Sequence, residues 1–516
     1  MLGAARISTH PDVHTSRPWW TLATLSLSLL IITMDNTILN VALPTIQQEF
    51  DASASSLQWM VDAYLLAFAG LLLTMGALGD RFGRSRALNA GLVIFAAASV
   101  AATIAETPAQ LIVVRGAMGV GGALIMPSTL SILTDVFEGP ARARAIAVWT
   151  AVGGIGVSIG PLVGGALLER FAWPAVFLVN VPVALVALTA GTVLVPSTRN
   201  TRPRRVDIPG AALSTAAVSA FVYGVIEAPA RGWMDDVVVG AFFAATALAV
   251  AFLAWERVTG EPMLELSFIA NWQFTAGLIA ISVGFFALVG IVYGMTQYLQ
   301  FVLGYSPLEA GAALLPVGAG VGAGSRIGQR VASRRGAPVV MCSGLILLAT
   351  SLAAAGLFGA STKYAFIGID FFFVALAMGL IFAPATERVM SSVPAHSAGV
   401  ASAMNDVARQ VGGALGVAIL GSVLNATYTR EADDAMASIP RIPADDASTA
   451  ADSIGAATEI ASSLPPSVGG LLLDASRGAF VDALAVEAIA AAAVALAGAA
   501  VVGLALWRRG EEANLP

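Results

Sequence analysis

The sequence predicts an all-α membrane protein with fourteen transmembrane spans. Hydrophobic residues make up 57% of the 516 residues and charged residues only 12%, whereas soluble domains carry roughly 25% charged residues. Fourteen apolar segments are each long enough to cross a hydrocarbon core of about 30 Å. They lack the alternating pattern of a transmembrane β-barrel. The segments lie near 20–43, 57–78, 88–105, 110–134, 145–167, 173–195, 207–227, 236–255, 273–301, 307–331, 337–358, 364–385, 398–424 and 479–506.

The distribution of basic residues predicts the orientation. An even number of spans places both termini on one side, and with that side cytoplasmic most of the 27 basic residues lie inside, as the positive-inside rule requires. Residues 1–19 do not have the pattern of a cleaved signal peptide, so the first span is expected to insert the chain. A single lysine against 26 arginines indicates a high-GC genome and so favours a bacterial source. With many apolar spans, the expected location is the bacterial cytoplasmic membrane, as a multi-pass protein.

Several function classes lack their sequence signatures. There is no Gly-Lys-Ser/Thr sequence, so a P-loop nucleotide site is not expected. The three histidines lie outside the spans and the only cysteine is Cys342, which argues against a metal site or an internal disulfide. No loop carries the basic stripe of a nucleic-acid-binding protein. We therefore expect ion-coupled transport, with no enzymatic activity, metal or cofactor, and with a proton gradient as the energy source.

Ionisable residues inside the spans are the candidate functional residues. Each costs on the order of 3 kcal/mol or more at the bilayer centre, so it marks a functional site by default. The candidates for proton coupling or substrate binding are Asp35, Asp62, Arg115, Asp370 and Asp406. Arg409 follows Asp406 by three residues on one helical face, which favours an intrahelical pair.

Three of these candidates are predicted to lie at similar depth. Asp35 is roughly 13 Å from the outer end of span 1, and Asp62 and Arg115 are roughly 8 Å from the outer ends of spans 2 and 4. Arg115 can stabilise the carboxylates, and protonation of one of them would loosen the pairing. The sequence leaves open whether this is a proton switch or a static ion pair that holds the three spans together.

Span 1 also carries a polar stripe on a different face from Asp35. Thr33, Asn36, Thr37 and Asn40 share one arc, and Asp35 points about 150° away from its centre at 100° per residue. Either Asp35 faces a neighbouring helix while the stripe faces a pathway, or the helix is distorted before Pro44.

Four sequence motifs lie at Asp35–Pro44, Gly76–Arg86, Leu111–Gly121 and Gly156–Gly165. Together they resemble those of one family, the fourteen-helix drug:proton antiporters of the major facilitator superfamily. Asp35–Pro44 resembles the span-1 signature, and Gly76–Arg86 is similar to the superfamily's loop between spans 2 and 3. Leu111–Gly121 resembles the span-4 signature, although Met118 stands where glutamine is common. Gly156–Gly165 is similar to the antiporter signature of exporters.

The resemblance implies the major facilitator fold, with two six-helix bundles, two extra helices between them and both termini cytoplasmic. The implied divisions are a cytoplasmic tail at 1–19, an N-terminal bundle at 20–195, a linker with the extra helices at 196–256, a C-terminal bundle at 257–506 containing an extracellular loop at 425–477, and a cytoplasmic tail at 507–516. The loop is expected to be either a partly ordered cap or disordered. A degenerate copy of the first loop motif follows span 10, near Gly336.

The resemblance also implies roles for two groups of residues. Asp80 and Arg84 are expected to form a conformational latch with Asp135, holding the two bundles in the outward-facing state, although a basic loop can also serve only as a topology signal. The second group is expected to bend span 5 and to bias the carrier toward export. It consists of Gly156, Gly160, Pro161, Gly164 and Gly165.

The resulting hypothesis is a proton-coupled exporter, an antiporter of amphipathic or cationic small molecules, drugs or antibiotics, that confers antibiotic resistance. The alternative is a dedicated exporter of one metabolite or of a self-made antibiotic. The expected partners are these small molecules, protons and the lipid bilayer, without nucleic acid, and we expect the protein to be a monomer.

Overall fold

The computed structural model describes residues 18–50, 52, 54–196, 207–436, 439 and 442–512, and every regular element in them is helical. Most of the predicted tail 1–19, the start of the linker 196–256 and residues 513–516 of the predicted tail 507–516 lie outside the described residues. The first seven helices are α1 Pro18–Phe50, α2 Ala54–Phe82, α3 Arg84–Ala102, α4 Pro108–Val136, α5 Gly139–Leu168, α6 Ala175–Leu178 and α7 Asn180–Leu194.

The remaining helices follow in chain order. They are α8 Ile208–Arg231, α9 Asp236–Val258, α10 Leu266–Ala270, α11 Trp272–Gln297, α12 Pro307–Ala313, α13 Leu315–Arg335, α14 Ala337–Ala355, α15 Tyr364–Ser391, α16 Ala398–Met436, α17 Ala444–Asp452, α18 Ile454–Ser463 and α19 Pro466–Glu512. A π-helical turn at Tyr298–Val302 follows α11, and a single 3-10 turn at Ala395–Ser397 precedes α16.

Within the described residues, thirteen helices are long and apolar enough to cross a membrane. The segment predicted as the remaining span, 307–331, is divided between α12 and α13. Its low hydropathy has a simple cause, because α13 ends in a run that contains Arg326, Arg330, Arg334 and Arg335. The count of fourteen spans therefore stays a prediction.

The helices form two bundles with the same packing pattern. In the first, α1 packs against α5 and α7, α4 against α2 and α3, and α3 against α7. In the second, α11 packs against α16 and α19, α15 against α13 and α14, and α14 against α19. The repeat makes α11, α15 and α19 the counterparts of α1, α4 and α7. This is the arrangement of two parallel repeats.

The loop motif and its degenerate copy also occupy matching places. Gly83 lies between α2 and α3 with φ of 108°, and Gly336 lies between α13 and α14 with φ of 88°. Only glycine adopts this backbone conformation without strain. Each glycine therefore turns the chain sharply into the next helix of its bundle.

Glycines also allow the closest helix contacts. A Cβ at Gly119 of α4 would lie 2.5 Å from the Tyr64 carbonyl oxygen of α2, and a Cβ at Gly324 of α13 would lie 2.1 Å from the Leu376 carbonyl oxygen of α15. Small residues at such positions let helix backbones approach each other in membrane bundles. The glycine-rich runs in these spans are therefore packing surfaces.

The two helices between the bundles pack as a pair, and α8 also contacts the first bundle. Thr74 of α2 and Thr215 of α8 share a hydrogen bond of 3.0 Å between their hydroxyl groups. A Cβ at Gly70 would lie 2.3 Å from the Ser219 Oγ. The extra helix α8 is thus fitted closely to α2.

The predicted loop 425–477 is largely helical where it is described. The helices α16 and α19 extend into it, and α17 and α18 lie between them. The Tyr428 hydroxyl donates to the Ala450 carbonyl, and the Arg477 Nε donates to the Phe301 carbonyl at 3.2 Å. These contacts tie the segment to the helices beneath it.

Candidate functional site

A fully buried ion pair joins α1 to α4. The Asp35 Oδ2 lies 2.6 Å from the Arg115 Nη1, and the exposed fractions of the two side chains are 0% and 2%. The Asn180 Nδ2 of α7 donates to the Asp35 Oδ1 at 2.8 Å. The Asp35 carboxylate therefore contacts two neighbouring helices of its own bundle.

Arg115 makes further contacts with α2. Its Nε donates to the Met60 carbonyl at 3.1 Å, and its guanidinium carbon lies 4.4 Å from the centre of the Tyr64 ring. A cation over an aromatic face is attracted by the ring quadrupole. Arg115 thus connects Asp35 of α1, Tyr64 of α2 and its own helix α4.

The polar stripe of span 1 faces α5. A Cβ at Gly156 would lie 1.9 Å from the Thr33 Oγ1, and a Cβ at Gly160 would lie 2.0 Å from the Thr37 Oγ1. The α-helix is continuous through this region, so Asp35 faces α4 and α7 while the threonines face α5. The position of the Asn40 side chain lies outside the described part of the chain.

Asp62 is separate from this ion pair. Its carboxylate is 8% exposed, accepts a hydrogen bond from Gln58, and interacts with the nearby charge of Glu227 on α8. From the sequence we expect Arg115 to stabilise the carboxylates of both Asp35 and Asp62, whereas in the structure it pairs with Asp35. The side chain of Asp62 points across the α2–α8 contact, whereas Arg115 points toward α1.

Asp406 and Arg409 lie on one face of α16, as predicted, but their contact is long. The Arg409 Nη1 lies 4.0 Å from the Asp406 Oδ1. The Arg409 guanidinium carbon instead lies 4.9 Å from the Trp149 ring centre, on α5 of the other bundle, and 5.6 Å from the Phe285 ring centre. Arg409 therefore bridges the two bundles.

The Asp406 carboxylate has unused hydrogen-bonding capacity. Its Oδ1 accepts a hydrogen bond of 3.4 Å from the Asn405 Nδ2, whereas its Oδ2 is buried without a partner among the described residues. The Phe285 and Phe382 rings stack nearby with their centres 4.4 Å apart. This part of the bundle interface combines an acidic group with aromatic faces.

Asp370 lies where two cavities meet. One is a groove between α14 and α15 that also contains Lys363, and the other is enclosed by residues of α11, α13, α14 and α15. The side chain is 8% exposed. Asp370 is therefore separate from both Asp35 and Asp406.

The three predicted latch residues do meet. Arg84 donates from Nε to the Asp80 Oδ1 at 2.8 Å, and it also pairs with Asp135 of α4. Its Nη2 donates to the Ala395 carbonyl of the second bundle at 2.6 Å. The cluster thus reaches across the interface at the predicted cytoplasmic end.

Asp80 makes the second connection between the bundles. Its carboxylate oxygens accept hydrogen bonds from the Gly399 and Val400 amides at 3.0 and 3.2 Å. An acid at a helix N-terminus satisfies free N–H groups and interacts favourably with the helix dipole. Asp80 therefore caps α16.

The glycines of the span-5 motif fit against α1, and its proline faces the other bundle. Gly164 packs beside Ile38, in line with the contacts of Gly156 and Gly160. A Cβ at Gly311 of α12 would lie 3.4 Å from the Pro161 Cβ. Gly165 is half-buried. Helix α5 is thus positioned between the Asp35 helix and the second bundle.

The sequence interpretation missed several polar residues. Asn180 is not charged, and Arg142 and Glu387 lie near helix ends, where a charge is ordinary. These two form an ion pair of 3.2 Å between α5 and α15. Glu487 carried a usable signal, because it is an acid in the middle of an alanine-rich span.

The comparisons with known proteins agree with this architecture. The family model of the Major Facilitator Superfamily matches residues 25–417. The multidrug efflux pump LfrA of Mycolicibacterium smegmatis is 37% identical over 472 residues, which cover 91% of this chain and 92% of that protein. The tetracenomycin C resistance and export protein of Streptomyces glaucescens is 36% identical over 481 residues, covering 91% and 88% of the two chains.

A solved structure supports the fold independently of close sequence identity. The human organic anion transporter MFSD10 superimposes with a TM-score of 0.60 at 14% identity, covering 94% of this chain and 99% of that one. At this level of identity the likeness concerns the fold alone. Together with the family match over most of the chain, it shows that this protein is a member of the Major Facilitator Superfamily.

Proposed function

We propose that the chain is a proton-coupled antiporter that exports amphipathic small molecules, including drugs or antibiotics, across a bacterial cytoplasmic membrane. The buried Asp35–Arg115 pair is the observation that carries the proposal. A titratable carboxylate within a membrane bundle is costly and marks a coupling site. The names of the relatives support the direction of transport and the class of cargo.

The chemistry at Asp35 begins with the ion pair. When Asp35 takes a proton from the outer side, the charge attraction to Arg115 is lost and the pair becomes a weaker hydrogen bond. The Tyr64 hydroxyl and the Asn180 Oδ1 are buried without partners among the described residues. They are available to accept or donate hydrogen bonds as Asp35 changes its charge.

The structural effect of protonating Asp35 can be transmitted to the bundle interface through α5. Thr33 and Thr37 of α1 pack into the glycine groove of α5. On its other side α5 contacts α12 and α13, where the Gly154 position lies against Val321. A shift of α1 on loss of its ion pair therefore moves a helix that touches the second bundle.

The interface around Arg409 is the proposed cargo site. An amphipathic cation can stack on Trp149 and Phe285 and place its charge beside the free Oδ2 of Asp406. Arg409 occupies these aromatic faces in the present structure. Cargo binding then requires the guanidinium to move, which links occupancy to the contact between the bundles.

Efflux driven by an imposed pH gradient tests the proposal. Inverted membrane vesicles are loaded with a pH gradient, and ethidium movement is compared between wild type, Asp35→Asn and the control Asp482→Asn, an exposed acid on α19. We expect gradient-driven movement in the wild type and the control, and none in Asp35→Asn, because the asparagine amide cannot take up and release the coupling proton. Normal coupling in Asp35→Asn at equal protein levels would refute the role of Asp35.

A dedicated exporter of one metabolite is the second candidate, and the named export of tetracenomycin C by one relative favours it. Competition distinguishes the two functions. A broad exporter loses ethidium efflux in the presence of several unrelated lipophilic cations. A dedicated exporter moves no ethidium and is inhibited by one compound class.

A further inference from the structure

Glu487 of α19 is a buried acid that none of the proposed steps uses. Its side chain is 0% exposed, and both carboxylate oxygens are buried without a hydrogen-bond partner among the described residues. Burial without partners is costly for an ionised carboxylate in an apolar interior. The carboxyl group is therefore accommodated at this position as the neutral acid.

A glycine on α11 makes room for this carboxyl group. A Cβ at Gly294 would lie 2.1 Å from the Glu487 Oε2 and 3.1 Å from its carboxyl carbon. One turn further along α11, the Gln297 Nε2 is also buried without a partner. The α11–α19 contact thus contains an acid packed against bare backbone at Gly294.

The titratable side chains on the elements packed against α19 have other partners or other positions. Tyr298 donates to the Gly359 carbonyl, Cys342 to the Ala499 carbonyl and Tyr428 to the Ala450 carbonyl. The remaining charges of α16 and α18 are exposed or partly exposed, namely Arg430, Glu431, Asp433, Asp434 and Glu459. The other titratable groups are Arg409, which lies over the Trp149 ring, Asp406 on the same face of α16, and Tyr293, which is 39% exposed. Among the described residues, Glu487 therefore has no counter-charge.

Because the two bundles repeat the same packing, the position of Glu487 can be compared with the equivalent contact in the first bundle. In the first bundle, Asp35 of α1 contacts Asn180 of α7. The counterparts of these helices are α11 and α19, and their contact pairs Gly294 with Glu487. The acid of the second bundle is thus carried by the last helix instead of the first. Asp370 of α15 lies near the start of the helix equivalent to α4, where the first bundle has Arg115.

We infer that Glu487 is a second proton-binding site, the counterpart in the C-terminal bundle of the Asp35 cluster. The inference rests on the proposed antiport. When the α11–α19 contact opens to water, the carboxylic O–H bond breaks and the proton leaves to solvent. The contact closes again only after a proton from solvent restores the neutral acid. Glu487 would thereby add one proton to each transport cycle.

Glu487→Gln and Asp482→Asn are the test variant and its control, because glutamine resembles the neutral acid in shape and Asp482 is exposed on the same helix. Infrared spectroscopy of the purified protein follows the C=O stretch of protonated carboxyl groups, and vesicles report ethidium accumulation at set pH gradients. We expect Glu487→Gln to lack one protonated-carboxyl band that changes when ethidium is added. Loss of one coupled proton lowers steady-state accumulation about tenfold per pH unit of gradient.

A second variant keeps the carboxyl group but changes its surroundings. Gly294→Ala introduces the Cβ that would collide with the Glu487 Oε2, so it should shift the same infrared band and alter the pH profile of transport. If Glu487→Gln has the wild-type pH profile and accumulation, the inference is wrong and the carboxyl only fills space. If the wild type itself moves no cargo under a pH gradient, the proposed antiport fails instead.

Discussion

The latch at the predicted cytoplasmic end gives the sharpest prediction, because one side chain, Arg84, contacts Asp80, Asp135 and the second bundle together. Arg84 donates to Asp80, Asp135 and the Ala395 carbonyl, and its planar guanidinium presents its donors in a fixed fork that reaches all three acceptors. Arg84→Lys keeps the charge but loses the bond to Ala395. A hydrogen bond to a charged group contributes about 1.5–3 kcal/mol, so opening at this end should become about 10 to 100 times more frequent.

Hydrogen exchange measures this opening directly. The Gly399 and Val400 amides donate to Asp80 when the end is closed, and they exchange only after that contact breaks. Exchange of a peptide covering 395–403 should therefore be at least about tenfold faster in Arg84→Lys than in wild type. The control is Arg86→Lys, at an exposed position of α3 two residues further along. Equal exchange in Arg84→Lys and wild type would show that Arg84 does not hold the bundles together.

Two further predictions concern helix packing and the Arg142–Glu387 ion pair between the bundles. Gly160→Val should destabilise the protein by about 1–3 kcal/mol, because its Cβ would lie 2.0 Å from the Thr37 Oγ1. The control is Gly240→Val, since a Cβ at Gly240 would meet nothing within 4 Å. Thermal unfolding followed by size-exclusion chromatography compares the two variants, and equal stability would contradict the close fit of α1 to α5. Arg142→Glu should weaken closure, and adding Glu387→Arg should restore it. A double-mutant cycle on the same exchange assay should give a coupling energy of about 1 kcal/mol, and a value near zero would mean that the pair is incidental.

The sequence predicts the helical class and the general location of the buried charges well, because both depend on local composition. Asp35 and Arg115 could be placed at similar depth by counting residues along two spans. The difference at Asp62 has a physical reason. Depth along a helix is a one-dimensional quantity, whereas partnership also depends on rotation about the helix axis and on which neighbour is adjacent. Nothing in span 2 indicates that α8 covers its Asp62 face.

The latch shows a second limit on predicting contacts from the sequence. The resemblance to a known motif brings Asp80, Arg84 and Asp135 together, and the structure places them in contact. Its partners in the second bundle are backbone groups of Ala395, Gly399 and Val400. Backbone partners leave no signature in the sequence, since any residue supplies the same N–H or carbonyl group.

Helix α4 connects the proposed proton site at Asp35 to the Arg84 cluster. It carries Arg115 at one end and Asp135 at the other, and twenty residues at 1.5 Å each separate them by about 30 Å. In the proposed cycle, protonation of Asp35 would weaken its contact with Arg115, while Asp135 remains bound to Arg84 at the opposite end. Any tilt of α4 that follows must strain or break that second ion pair. Pro127 lies between them within the helix, where the missing backbone hydrogen bond permits bending. The proposed protonation of Asp35 on one side of the membrane would therefore act on the other side through a single helix, and the flexibility that Pro127 gives α4 would set how much of the tilt reaches Asp135.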